Sequence, residues 1–368
     1  SLFEAMTANA KLLVLMFRLW VLIGICVAKH PMHECDQPIN LPVPGGHTLY
    51  LEIVGNCLGP SLLYFHGGWG PLRDDLDFVP ASFRIVYFHQ RGWGFSKPQG
   101  GVENNSFADI IEDAKFIHDK FPGTDERWAV FGGSNGGTLA LLYAASFPDT
   151  VLGLVIRGYW AMTPEQISWD YLGAGKRTIY PEEWKKMCSA VEGCTADDLL
   201  PRYASFLSGP AGNDGCTGAD PPFGCKIACA WLRWDALGSS ISLVPHNICA
   251  HGKEPEWYQL HPLATARLGV HFYLQRHELP DLSKLVASSA PVHFINGRFD
   301  LLCPPRFAAE ATSVAMALGA KTWKNTIIEH AAHSSSDPGV SAEIRSALEN
   351  LVAKSHILLG RSPRSDFL

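Results

Sequence analysis

The sequence predicts an α/β architecture: a mainly parallel sheet with helices on both faces and a mostly helical segment inserted before its last strands. From Gly46 onward, short apolar runs bounded by Gly and Pro alternate with helical patterns. That alternation buries a parallel sheet from both sides. Between about Trp160 and Pro280 the alternation lapses into a stretch rich in Trp, Gly, Pro and Cys, and it resumes at Pro291. An insertion between two strands explains the interruption; an independent C-terminal domain would not resume the pattern.

The expected strands are His47 to Val54, Ser61 to His66, Arg84 to Gln90, Arg127 to Gly132, Val151 to Gly158, Pro291 to Gly297 and Lys321 to Glu329. Phe107, Ile110, Ile111, Ala114, Ile117 and Phe121 recur at helical spacing. Asn105 or Ser106 caps that helix, and Pro122-Gly123 stops it. A second helix is expected from Gly136 to Ser146, a third from Glu182 to Val191, and a last one with Ile344, Leu348, Leu351 and Val352 on one stripe. The division that follows is residues 1–36 as leader and linker, 37–159 with 281–368 as the core, and 160–280 as an inserted cap.

Composition narrows the function classes. The chain has 368 residues, 47% of them apolar, with 11 Trp and 19 Phe, too much apolar material to stay solvated and disordered. A formal charge of −6 excludes a broad electrostatic grip on nucleic acid, which needs a basic face. Residues 12–28, LLVLMFRLWVLIGICVA between Lys11 and Lys29, read as a secretory signal with cleavage after Ala28, or as a membrane tether. Arg18 weighs against both, since a charge in mid-segment costs about 2.5–3.5 kcal/mol; without a signal or tether the chain would be cytoplasmic. Of the 10 cysteines, Cys188, Cys194, Cys216, Cys225, Cys229 and Cys249 fall in the cap. Disulfides there would fit an oxidising compartment, and so does the sequon Asn104-Asn105-Ser106. No metal is expected: Cys216, Cys225 and Cys229 lack the C-x2-C spacing of structural zinc sites.

The chemistry concentrates in RWAVFGGSNGGTLALLYAASFP. Gly132-Gly133-Ser134-Asn135-Gly136 fits G-x-S-x-G, with an apolar strand before it and a helix after it. A sharp strand-to-helix turn of this kind lifts Ser134 above the sheet as a nucleophile, and the helix N-terminus offers N–H groups to a developing oxyanion. A serine nucleophile needs a base and an orienting acid, in the chain order Ser, acid, His. Beyond the strand at 291–297 lie His330, His333 and His356. His356 falls in the last helix and His330 ends a strand. His333 sits in the loop AAHSSSDPG, where a catalytic histidine can reach the serine. Asp300, just past the preceding strand in NGRFDLLCPP, is the expected acid. The oxyanion hole should combine the N–H of Asn135 with one from Gly67 or Gly68 in YFHGGWG.

These segments together resemble the proline iminopeptidases, serine peptidases of the α/β-hydrolase fold. The resemblance rests on HGGWG (His66 to Gly70), HQRGWGFSKP (His89 to Pro98), GGSNGGTLALLYA (Gly132 to Ala144), FPDTVLGLVIRG (Phe147 to Gly158), WLRWDALGSSISLVP (Trp231 to Pro245), NGRFDLLCPP (Asn296 to Pro305) and AHSSSDPG (Ala332 to Gly339), and covers roughly Leu41 to Leu351. It implies release of an N-terminal residue, usually proline, from a peptide substrate, with no cofactor. It implies Ser134 as nucleophile, Asp300 as acid and His333 as base, with Asp235 in the cap holding the free amine by a charge-assisted hydrogen bond. Trp69 and Trp234 join Asp235 as candidate substrate-binding residues.

The chain departs from the family pattern at four places. Trp69 stands for a Pro, Asn135 for a Trp, Asp235 for a Glu, and Gly269 for a second amine-binding Glu. The last departure opens an alternative: an esterase or amidase that uses the same triad on a small acyl substrate without recognising an amine.

Overall fold

The computed structural model describes residues 35, 37–68, 70–71, 76–172, 175–208, 223–241, 261–275 and 279–358. The leader 1–34, Trp69, Cys216 and Cys249 lie outside these residues. The sheet has eight strands in the order β1-β2-β4-β3-β5-β6-β7-β8: β1 (Ile39–Val43), β2 (His47–Gly55), β3 (Ser61–Phe65), β4 (Arg84–His89), β5 (Trp128–Gly133), β6 (Val151–Arg157), β7 (Val292–Gly297) and β8 (Trp323–Ile328). β2 runs antiparallel to β1 and β4, and every pairing from β4 to β8 is parallel. This is the α/β-hydrolase fold.

Burial explains the strand sequences. β3 and β5 sit mid-sheet with every residue buried, so both faces must be apolar and the runs are continuous. β2, near the edge, alternates buried and half-buried positions along most of its length, the period of a strand with one wet face. β1 is an addition to the expected strands. It is short and contains Pro42, paired with Thr48; proline cannot donate to a ladder and is tolerated on an edge.

Helix α1 (Phe107–Lys120) turns Phe107, Ile110, Ile111, Ala114 and Ile117 inward. Its cap is Ser106, whose hydroxyl accepts from Asp109 N at 3.2 Å while Asp109 Oδ2 accepts from Ser106 N at 2.8 Å. Asn105 is instead buried, its amide donating to the carbonyls of Arg91 and Gly101. Helix α2 (Asn135–Ser146) leaves β5 directly.

Between β6 and β7 the described residues form helices and no strand. They are α3 (Pro164–Ile167), a π-turn at Ser168–Leu172, α4 (Gly175–Ile179), α5 (Pro181–Ala190), α6 (Leu199–Phe206), α7 (Phe223–Ala236), α8 (Pro262–Leu274) and α9 (Leu282–Ala287). Trp184, Tyr203, Trp231 and Trp234 are buried among them, and Arg233 of α7 grips Glu183 of α5 with two bonds of 2.7 and 2.8 Å. After β7 come α10 (Pro305–Ala317), β8 and α11 (Pro338–Leu358). Cys35 is bonded to Cys57 and Cys188 to Cys194, and Cys225 and Cys229 are also disulfide-bonded. Among the described residues no helix is long and apolar enough to cross a membrane.

Candidate active site

The site forms where β5 ends. Ser134 is the N-cap of α2 with φ 57° and ψ −125°, a strained backbone for a residue with a side chain. Close packing forces it. A Cβ on Gly132 would meet the Gly136 carbonyl oxygen at 2.2 Å, and one on Gly136 would meet the Phe65 oxygen at 2.2 Å. The turn is held from both sides: Ser134 N donates to Arg157 O at 2.8 Å, and Ser134 O accepts from Gly137 N at 2.9 Å.

Asp300 and His333, 33 residues apart, meet at 2.8 Å through Oδ2 and Nδ1. The other carboxylate oxygen accepts from Leu302 N at 3.0 Å and Cys303 N at 2.7 Å, so both oxygens are fixed. Gly158, at φ +55°, lies against the pair; a Cβ there would sit 2.8 Å from the imidazole. His330 is exposed at the surface. His356 lies in α11.

The Nε2 nitrogen of His333 is engaged by a residue that the sequence did not single out. Arg157 Nη1 donates to His333 Nε2 at 2.8 Å and to the His333 carbonyl at 3.1 Å. Among the described residues no hydrogen bond joins Ser134 Oγ to His333; Oγ instead faces Cys303 Sγ at 3.8 Å. Burial, reinforced by Asp300, pushes the Cys303 thiol well above its usual range. Asp300, Cys303 and His333 could each offer one atom to a cation, all within 4.8 Å. A protonated thiol and a carboxylate already committed to two amides and an imidazole make a poor metal set.

The loop of Gly67 and Gly68, where oxyanion donors were expected, is held by His66. Burial lowers its pKa to about 4, so it is neutral. Its Nε2 accepts from Gln90 N at 3.1 Å, which leaves Nδ1–H to donate to Gly67 O at 2.9 Å. The Gly67 carbonyl also accepts from Gly70 N at 3.1 Å. In a trans peptide the N–H points away from the carbonyl, so this anchoring directs the Gly68 N–H to the opposite side. Gly67 itself approaches closely, a Cβ there lying 3.3 Å from Ser134 Cβ. Asn135 is buried at the first turn of α2, where a helix leaves N–H groups without intrahelical partners.

In the cap, Asp235 is 9% exposed and accepts a hydrogen bond from the Tyr171 hydroxyl. Trp234, expected at the substrate, is enclosed: its N–H donates to Asp170 O at 2.9 Å, and its ring packs against Trp184 and under Lys176. Trp234 therefore supports the cap from inside. Lys176 and Asp170 pair at 2.7 Å, both fully buried. Desolvation raises the Asp170 carboxyl to about 7, against the pull of Lys176.

A family model described as the alpha/beta hydrolase fold matches residues 55–192. The chain is 31% identical over 344 residues to the proline iminopeptidase of Arabidopsis thaliana, covering 89% of this chain and 83% of that one. It is 30% identical over 334 residues to that of Neisseria meningitidis serogroup A, covering 87% of this chain and 99% of the relative. The chain belongs to the proline iminopeptidase family. Its membership makes it a hydrolase, and solved structures agree on the fold. An alpha/beta fold family hydrolase from Bacillus anthracis superimposes with a TM-score of 0.53 at 16% identity, over 86% of this chain and 98% of the other. An esterase from Exiguobacterium antarcticum gives 0.51 at 13%, over 83% and 96%.

Proposed function

We propose that this chain is a serine aminopeptidase that releases an N-terminal residue, proline foremost, from peptides through an acyl-enzyme. Ser134 Oγ attacks the carbonyl carbon of the first residue while His333 Nε2, freed from Arg157, takes the hydroxyl proton. Asp300 holds the imidazole in the tautomer with Nδ1 protonated. The N–H groups of Asn135 and Gly68 receive the oxyanion, and Gly67 leaves room for it. His333 then gives its proton to the departing amine, the C–N bond breaks, and water attacks the acyl-enzyme by the same route to free the residue and restore Ser134. Asp235 draws the substrate's ammonium toward the cap, taken as residues 160–280 on a core of 37–159 and 281–368.

One observation carries the assignment: the 2.8 Å His333–Asp300 bond stands beside the Ser134 turn in a chain 31% identical to a named proline iminopeptidase. The test is hydrolysis of proline p-nitroanilide by wild type and Ser134→Ala, beside the N-acetylated anilide. Rapid release that needs Ser134 and a free amine supports the assignment. Indifference to acetylation points to the esterase or amidase alternative, and equal rates in wild type and variant overturn both.

We also infer a secretory location. The disulfides Cys35–Cys57 and Cys188–Cys194, with Cys225 and Cys229 also oxidised, fit an oxidising compartment, and the apolar segment 12–28 would deliver the chain there or tether it. A fusion of residues 1–36 to a reporter tests this; a reporter that stays in the cytosol refutes it.

A further inference from the structure

Arg157 is a buried cation without a counter-ion of its own. It is 8% exposed. Among the described residues no carboxylate pairs with it, and its Nε is enclosed without a hydrogen-bond partner. The Asp300 carboxylate stands at the other imidazole nitrogen, committed to His333 Nδ1 and to two backbone amides. The guanidinium's hydrogen bonds go to Nε2 and the carbonyl of His333, both neutral acceptors. A buried charge is ordinarily paired or bound to a ligand, and this one has neither.

Its position is beside Ser134. A Cβ on Gly133 would lie 2.7 Å from Arg157 Nη2 and 3.1 Å from Cζ, so the guanidinium touches the residue before the serine as well as the imidazole. Arg157 O also accepts from Ser134 N at 2.8 Å.

The contact with Nε2 holds only while that nitrogen is unprotonated, because a guanidinium has donors and no acceptor. Hydrolysis of an acyl-enzyme ends that state. Water adds its oxygen to the acyl carbon, and the C–O bond to Ser134 breaks with its electron pair left on Oγ. Oγ takes back a proton through His333. The acid so formed gives its own proton to Nε2, which leaves a carboxylate, the free serine and an imidazolium. Two cationic donors, Nε2–H and Nη1–H, then face each other, and the one new anion is the product carboxylate.

Resting on the acyl-enzyme route above, whichever acyl group it carries, we propose that Arg157 binds the carboxylate of the released acid. Nη1 leaves Nε2 when the imidazole is protonated and takes a carboxylate oxygen in its place. A substrate amide or ester has no charge at its scissile carbonyl, so this site favours the product. Free carboxylic acids should therefore occupy the enzyme and block Ser134.

The test follows fluorophosphonate labelling of Ser134 at neutral pH and constant ionic strength, with acetate, acetamide or chloride added. Acetate carries the carboxylate and no amine for the cap to recognise. It should protect wild type at a concentration about 10- to 100-fold below that of acetamide, the effect of hydrogen bonding between charged groups. Arg157→Gln, which keeps an N–H but no charge, and Arg157→Met should both bring the acetate midpoint to that of acetamide. Wild type protected equally by acetate and acetamide, or by acetate and chloride, overturns the proposal before any substitution is made. An acetate midpoint unmoved in both variants also overturns it, and assigns the carboxylate to the oxyanion donors. A Ser134 that takes no label even without additives overturns the acyl-enzyme assignment and this proposal together; a labelled serine that acetate does not protect overturns this proposal alone.

Discussion

Arg157 Nη1 lies 2.8 Å from His333 Nε2, the atom proposed above to receive the serine proton. The same nitrogen also reaches the His333 carbonyl at 3.1 Å. In this arrangement the guanidinium holds the imidazole in place and occupies its Nε2 lone pair, so the proposed mechanism requires Arg157 to withdraw when Ser134 is deprotonated. Arg157→Met should react severalfold faster than wild type with a fluorophosphonate probe at neutral pH. It should also lose about 1.5–3 kcal/mol of stability with the charged hydrogen bonds. Slower labelling would mean that the guanidinium positions His333 productively and does not restrain it.

His66 is bonded to the Gly67 carbonyl and so sets the direction of the Gly68 N–H. His66→Ala should cost about 10²- to 10³-fold in kcat, the usual effect of removing one oxyanion donor, with little change in KM. A variant that loses affinity and keeps kcat would place the donor elsewhere.

Burial lowers both His66 and His293 from 6.5 to about 4. The unfolded chain therefore takes up these protons first. Their contribution is complete above about pH 6.5 and is lost as pH falls toward 4, on the order of 3 kcal/mol for His66. Urea midpoints should fall across that window. His293→Gln, at the far end of β7 from the nucleophile, should flatten part of the slope, and an unchanged slope would discount His293.

The Asp170–Lys176 pair is closed to solvent, with Lys176 Nζ 4.9 Å from the Trp234 ring. Lys176→Met alone should destabilise the protein by about 3–5 kcal/mol, because it strands a buried carboxylate. Adding Asp170→Leu should recover most of that loss. A single variant as stable as wild type would show that the pair is dispensable.

From the sequence alone, Gly269→Glu looks like the substitution that restores a missing amine ligand. The structure predicts a loss instead. A side chain at 269 pushes on Trp231 and through it on the stacked Tyr171. Proline release by Gly269→Glu should fall below that of wild type; an increase would show that the cap repacks around the carboxylate.

The sheet was legible because its central strands are buried on both faces and must be apolar throughout, and because the Ser134 turn tolerates only glycine at 132 and 136. β1 was not, since an edge strand carrying Pro42 has neither alternation nor an apolar run. Asp300 and His333 could be placed by chain order and loop position. Arg157 and His66 could not: an arginine ending a strand and a histidine before two glycines make hydrogen bonds that reach partners 176 and 24 residues away, and no local pattern encodes such distances. Trp234 was misplaced for a related reason. Its spacing put it beside Asp235, but successive helix residues point in different directions, and this one points into the cap.

The end of β6 serves three masters. Arg157 O accepts from the Ser134 N–H, Gly158 packs against the Asp300–His333 pair, and the Trp160 backbone N–H returns to Ser134 O as the chain leaves β6 for the helices before β7. The proposed cap and nucleophile thus share one junction of four residues, Arg157 to Trp160. A chimera that imports a relative's cap will keep its chemistry only if the splice falls after Trp160. A splice placed before Arg157 would exchange specificity and reactivity as a single block.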